Sequence, residues 1–165
     1  MDINKVIISE IYINCSKELL WENITNVDII KYRFPWYFRI LMIPKPIKAE
    51  IITEGVGGER IAYFDNGKKF HQKILTWDKN NTYSFSFNSE DNFKAGIFFN
   101  IFNGIFKIKK GTYFIEAHDQ TIKIILKTDY TIQKKYNFLL NIPVYLILRK
   151  FQKYLLNTIK INSEN

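Results

Sequence analysis

The chain has 165 residues, 47% of them hydrophobic, with 14 Phe and 10 Tyr. That length suits a single domain over residues 1–165, and the apolar content excludes a disordered chain. The single Cys15 excludes an internal disulfide framework, and two histidines alone cannot build a Cys/His zinc cage, so neither a metal nor a cofactor is expected.

The formal charge of +8 comes from lysines scattered singly or in pairs, as in Lys68-Lys69, Lys109-Lys110 and Lys134-Lys135. Without an arginine-rich run, solvated strand faces and turns explain most of them. Attraction to anionic lipid is the next reading, and no specific nucleic-acid partner is expected. The opening MDINKVIISEIYI lacks an apolar run followed by a small-residue cleavage site. No stretch of about 18 uncharged apolar residues occurs, so a cytoplasmic location is the expectation.

The first predicted strand is Lys5 to Ile13, with Ile7, Ser9, Ile11 and Ile13 on one face and Val6, Ile8 and Tyr12 on the other. Ser16 suits an N-cap, with Glu18 in the first turn of the helix that follows and Leu20, Trp21 and Ile24 on its apolar side. Pro35 and Pro44 leave room for one short helix between them. From Ile47 an alternating pattern predicts strands at Lys48–Glu54, Glu59–Asp65, Lys69–Trp77, Thr82–Phe87, Gly111–Ala117 and Thr121–Tyr130. Short turns such as Asp65-Asn66-Gly67 and His118-Asp119-Gln120 join several of them, which makes successive strands antiparallel. Pro143 suits the first turn of a final helix whose stripe is Val144, Leu148, Phe151, Leu155 and Ile159. A curved meander buries such a long one-faced helix by wrapping around it.

Arg60, Ala62 and Phe64 fall on one face of their strand, and Phe70, Gln72, Ile74 and Thr76 on one face of the next. If these faces are concave, Arg60 and Gln72 are polar groups in an aromatic pocket, where a guanidinium could orient a carboxylate ligand. The alternative is an outward Arg60 paired with Glu50 or Glu59. His71 and His118 read as surface residues, and no Ser/His/Asp or Cys/His arrangement supports a catalytic assignment. Seven Ile or Phe side chains crowd Ile97 through Phe106. They form either a strand under the last helix or an apolar lip, comprising Phe98, Phe99, Phe102 and Phe106, at a cavity mouth or membrane surface.

The order strand, two short helices, six-strand meander and long helix resembles the helix-grip fold of the START-related SRPBCC superfamily. "CSKELLWENITNVD" resembles its post-strand helix with a tryptophan. "GVGGERIAYFDNGKKFHQKILTW" is similar to the polyketide cyclase/dehydrase-like branch, where a Gly-rich turn leads to Arg, a hairpin turn and a strand ending in Trp. That branch often has Glu where this chain has Gln72, and Gln cannot act as a general base. The resemblance implies an α+β fold in which a curved seven-stranded antiparallel sheet grips the C-terminal helix. It also implies a small hydrophobic or amphipathic ligand held between them, with Arg60, Phe64, Phe70, Gln72, Ile74, Tyr130, Leu148 and Phe151 as candidate contacts. A cyclase or dehydratase is the enzymatic alternative, and a protein-interaction module with a filled core is the third.

Overall fold

A computed structural model describes residues 1–29, 32–87 and 105–165. Alternation along β1 (Asp2–Ile13) buries Ile7, Ser9 and Ile13 and leaves Val6, Ile8 and Tyr12 exposed. The side-chain period of a strand thus decides which isoleucines enter the core. Helix α1 (Lys17–Thr25) follows, and the Ser16 side chain accepts a hydrogen bond from the Leu19 amide at its start. Next come β2 (Val27–Asp28), α2 (Trp36–Ile40), β3 (Pro46–Ile51), β4 (Glu59–Phe64), β5 (Lys69–Asp78) and β6 (Thr82–Phe87). The chain ends with β7 (Phe106–His118), β8 (Thr121–Gln133), one 3-10 turn at Lys134–Tyr136 and α3 (Asn137–Glu164).

The strands form one sheet in the order β1-β8-β7-β6-β5-β4-β3-β2, and every neighbouring pair is antiparallel. It curls into a half-barrel around α3. Irregularities between Pro46 and Lys48, Ile74 and Thr76, and Ile108 and Lys110 let the strands bend there. The α+β helix-grip architecture matches the sequence reading, but among the described residues the sheet has eight strands, not seven. The extra one, β2, is two residues long, with Val27 and Asp28 opposite Ala49 and Lys48. A pair that short carries no alternation a sequence can display.

Two further expectations are corrected. Strand β7 begins at Phe106 instead of Gly111, because its first residues pair with the extended end of β8, Phe106 opposite Ile132. Pro143 lies in the interior of α3, which starts at Asn137. The turn at Lys134–Tyr136 leads directly into the helix, so the proline gives up a main-chain hydrogen bond within it.

The core has two parts. The larger gathers Trp21, Ile24, Phe38, Ile74, Tyr83, Phe85, Tyr113, Tyr154 and Leu156 among others. The smaller, at the other end, holds Ile7, Phe106, Tyr130, Ile132, Leu140, Val144 and Leu148, and Ile147 packs against both. The buried line on α3 runs through Leu140, Val144, Leu148, Gln152, Leu156 and Ile159. Phe151 and Leu155 are only half-buried, flanking that line. Gln152 is the polar member of the stripe. Its amide nitrogen lies 2.7 Å from Thr128 Oγ1 and 3.2 Å from the carbonyls of Ile7 and Leu126, tying α3 to β1 and β8.

Truncating a buried leucine removes packing that little can replace. Leu156→Ala should therefore cost about 2–5 kcal/mol, whereas Phe138→Ala, on the exposed side of α3, should stay within about 0.5 kcal/mol. Urea unfolding of the two variants checks this, and equal effects would contradict the orientation of α3.

Candidate functional site

The hairpin of β4 and β5 places Arg60 directly opposite Gln72 and Ala62 opposite Phe70. Both polar residues face inward, each 4% exposed. Arg60 Nη1 donates to Gln72 Oε1 at 2.8 Å, Nε to the Thr25 carbonyl at 3.1 Å and Nη2 to the Ile24 carbonyl at 3.1 Å. The outward pairing with Glu50 or Glu59 is thereby excluded. Glu50 instead meets Lys48 and Tyr63, and Glu59 meets His71.

These partners are of a different kind from the ligand carboxylate the sequence suggested. Ile24 and Thr25 end α1, where carbonyls lack helical donors and the helix dipole is negative. A planar guanidinium can serve two such carbonyls and an amide at once. Its carbon also lies 5.1 Å from the Phe85 ring centre and 5.8 Å from that of Tyr83, where ring faces attract a cation. Arg60 is therefore a clasp between α1 and the sheet.

Aromatic rings complete the clasp. Trp21 of α1 packs edge-on against Trp77 at 5.1 Å and Tyr83 at 6.0 Å. Phe85 sits across from Gly111, where an added Cβ would lie 2.7 Å from the ring. Glycine is required there for the ring that supports Arg60.

The candidate contacts fall into three places. Arg60, Gln72 and Ile74 form the fully buried wall beside α1. Phe64 and Phe70 are half-buried beside the turn of the hairpin, with ring centres 6.5 Å apart, and Phe70 meets Phe87 at 5.4 Å. Tyr130 and Leu148 belong to the smaller core, while Phe151 stacks near Phe38 and Tyr154. The structure does not bring all eight around one point. The proposed lip fares differently: Phe98, Phe99 and Phe102 lie outside the described residues. Phe106 is buried with its ring 5.8 Å from Tyr130, because it occupies an inward position of β7, so it is not a lip residue.

Two groups were not singled out by the sequence. The hydroxyls of Tyr83 and Tyr154 are buried with no hydrogen-bond partner among the described residues. Tyr83 stands on the sheet and Tyr154 on α3, among the rings of Tyr32, Phe34, Phe38 and Phe151. Burial pushes the Tyr83 hydroxyl up to about 12, with nearby Arg60 pulling the other way. Burial also raises Tyr113, again against Arg60, and raises Tyr154, with Tyr32 adding to it. The only sequence signal for these two residues is aromatic placement on the buried faces of β6 and α3.

Elsewhere, His71 and His118 are surface groups beside Glu59 and Asp119. Burial raises the partly buried Cys15 thiol, so it is not activated. An open groove of 650 Å³ runs outside the clasp between Glu18, Glu22, Glu54 and Lys79. Its charged walls set it apart from the aromatic interior. Among the described residues, no group of three or more His, Cys, Asp or Glu could hold a metal, and no helix is long and apolar enough to cross a membrane.

This geometry defines a helix-grip fold, and solved structures agree. Protein MLL2253 from Mesorhizobium loti aligns with a TM-score of 0.60 at 11% identity, over 96% of each chain. Norcoclaurine synthase from Thalictrum flavum, in complex with dopamine and hydroxybenzaldehyde, aligns at 0.58 and 16% identity over 96% of this chain and 86% of that one. Ara h 8.0201 aligns at 0.59 and 15% identity over 98% and 99%. No family model matches the chain, and no curated protein does. At these identities the likeness is one of fold.

The raised Tyr83 hydroxyl makes a pH prediction. An unfolded tyrosine loses its proton near 10.0 and the folded one near 12, so the stability linked to Tyr83 is intact below pH 10 and is lost as pH rises toward 12. Over that window wild type should lose up to about 3 kcal/mol relative to Tyr83→Phe. Urea unfolding at neutral and alkaline pH measures the difference; parallel curves would contradict it.

Proposed function

We propose that the chain binds a small hydrophobic or amphipathic molecule between the concave face of the sheet and α3, for transport or sequestration. The observation that carries this reading is the pair of buried hydroxyls at Tyr83 and Tyr154, which have no partner among the described residues. Leaving such a group without a partner costs about 1–3 kcal/mol. A ligand bearing a hydroxyl, amine or carbonyl would offset that cost while its apolar body meets aromatic walls.

In this reading Phe64, Phe70 and Phe151, all half-buried, are the walls a ligand reaches first. Ile74 forms part of the floor, and Tyr130 and Leu148 back the far end. Arg60 and Gln72 hold the wall in shape. The small aromatic molecules in the norcoclaurine synthase complex support this ligand class. Binding is preferred to cyclase or dehydratase chemistry because Gln72 cannot move a proton and Tyr83 keeps its proton up to about 12.

Native mass spectrometry after gentle purification should show a carried small molecule. The probe 1-anilinonaphthalene-8-sulfonate should bind saturably, and Tyr154→Phe should weaken it about fivefold, the loss of one hydrogen bond. The same variant should unfold at an equal or higher urea concentration, since its hydroxyl had no partner. A protein with no adduct and no saturable probe binding would have a filled core, which would point to an interaction module.

A further inference from the structure

The first turns of α3 are apolar on both sides. Leu140, Val144 and Leu148 enter the core, while Phe138, Leu139, Ile142 and Leu146 are exposed on the opposite side. Phe138 is 93% exposed. A helix that is hydrophobic all round belongs in an apolar setting, and here half of its circumference has none. Exposed apolar residues also stand on α2, where Trp36 is 69% exposed and Ile40 is exposed as well. The two helices meet where the Lys150 ammonium lies 4.4 Å over the Tyr37 ring and Phe38 lies 5.7 Å from Phe151.

Along α2 and α3 themselves the charge has one sign. No Asp or Glu occurs between Asp129 and Glu164, nor between Asp28 and Glu50. Lys134, Lys135, Arg149 and Lys150 flank the apolar residues of α3, and Arg33 and Arg39 flank those of α2. A second copy of the chain would bring these like charges together, which costs stability. Nucleic acid would find branched aliphatic side chains where it needs donors. An apolar stripe with an exposed Trp, flanked by Lys and Arg on its own helices, matches an anionic bilayer surface.

We infer that the exposed face of α2 and the first turns of α3 dock on the surface of an anionic membrane. The apolar side chains enter the headgroup boundary, and the basic rim meets the lipid charge. This inference does not depend on the ligand reading, because it uses the outer side of α3.

Flotation with vesicles of phosphatidylcholine, with and without phosphatidylserine, tests it. Wild type should float with the phosphatidylserine vesicles at low salt, lose most of that binding at high salt, and ignore pure phosphatidylcholine. Trp36 fluorescence should shift to shorter wavelength on binding, and Trp36→Phe should remove the shift. A Phe138→Asp, Ile142→Asp variant should bind more than about tenfold more weakly with an unchanged melting temperature. Lys134→Glu with Lys135→Glu should also weaken binding. The inference is overturned if wild type ignores anionic vesicles at low salt, or if the double Asp variant binds as wild type does. It is equally overturned if sedimentation velocity shows a dimer that the Asp variant dissociates, since a second copy would then cover the face.

Discussion

A guanidinium charge buried between a helix end and a sheet is the constraint on which the rest of this structure depends. All three hydrogen-bond partners of Arg60 are neutral: the Ile24 and Thr25 carbonyls and the Gln72 amide oxygen. A buried charge without such compensation would be prohibitive. Here the negative end of α1, the amide dipole and two ring faces share the task. Gln72 supplies a hydrogen bond and no ion pair. The charge therefore depends more heavily on α1, so the position of that helix and the stability of the charge are one problem.

The consequences spread through the aromatic interior. With α1 clasped, Trp21 is held against Trp77 and Tyr83, and Phe85 must lie flat enough to support the guanidinium. Gly111 gives Phe85 that room. On the other side, Gln152 fixes α3 to β1 and β8 through a polar contact inside an apolar stripe. The helix is thus set in rotation, which sends Tyr154 inward and Phe138 outward. The unpartnered hydroxyl and the exposed apolar face are two results of one helix orientation.

Much of the fold was legible because burial imposes period. The strand starting at Thr82 was predicted from its alternation, and the Asn66-Gly67 turn set the register that pairs Arg60 with Gln72. Ser16 caps α1 as its chemistry suggests. What escaped were features without a local signature. The two-residue β2 exists only because β3 is beside it. Pro143 has the chemistry of a helix start, yet it lies inside α3, where tertiary packing offsets the single hydrogen bond it removes. At the site, alternation placed Arg60 on the inward face, but a sequence cannot say that its partners are carbonyls 35 and 36 residues away. Gln152 was detectable in principle, as a polar residue between Leu148 and Leu156 on the buried line. Tyr83 and Tyr154 were not, since a tyrosine whose hydroxyl is satisfied has the same pattern.

The clasp itself is tested most directly by urea unfolding of Arg60→Met beside Arg60→Lys. Methionine fills much of the volume but leaves three acceptors without donors, so a loss of about 3 kcal/mol or more is predicted. Lysine keeps the charge, yet a single ammonium cannot span two carbonyls and an amide, so it should recover little of that loss. An Arg60→Met protein within about 0.5 kcal/mol of wild type would contradict the account, because α1 would then be held in place by its rings alone.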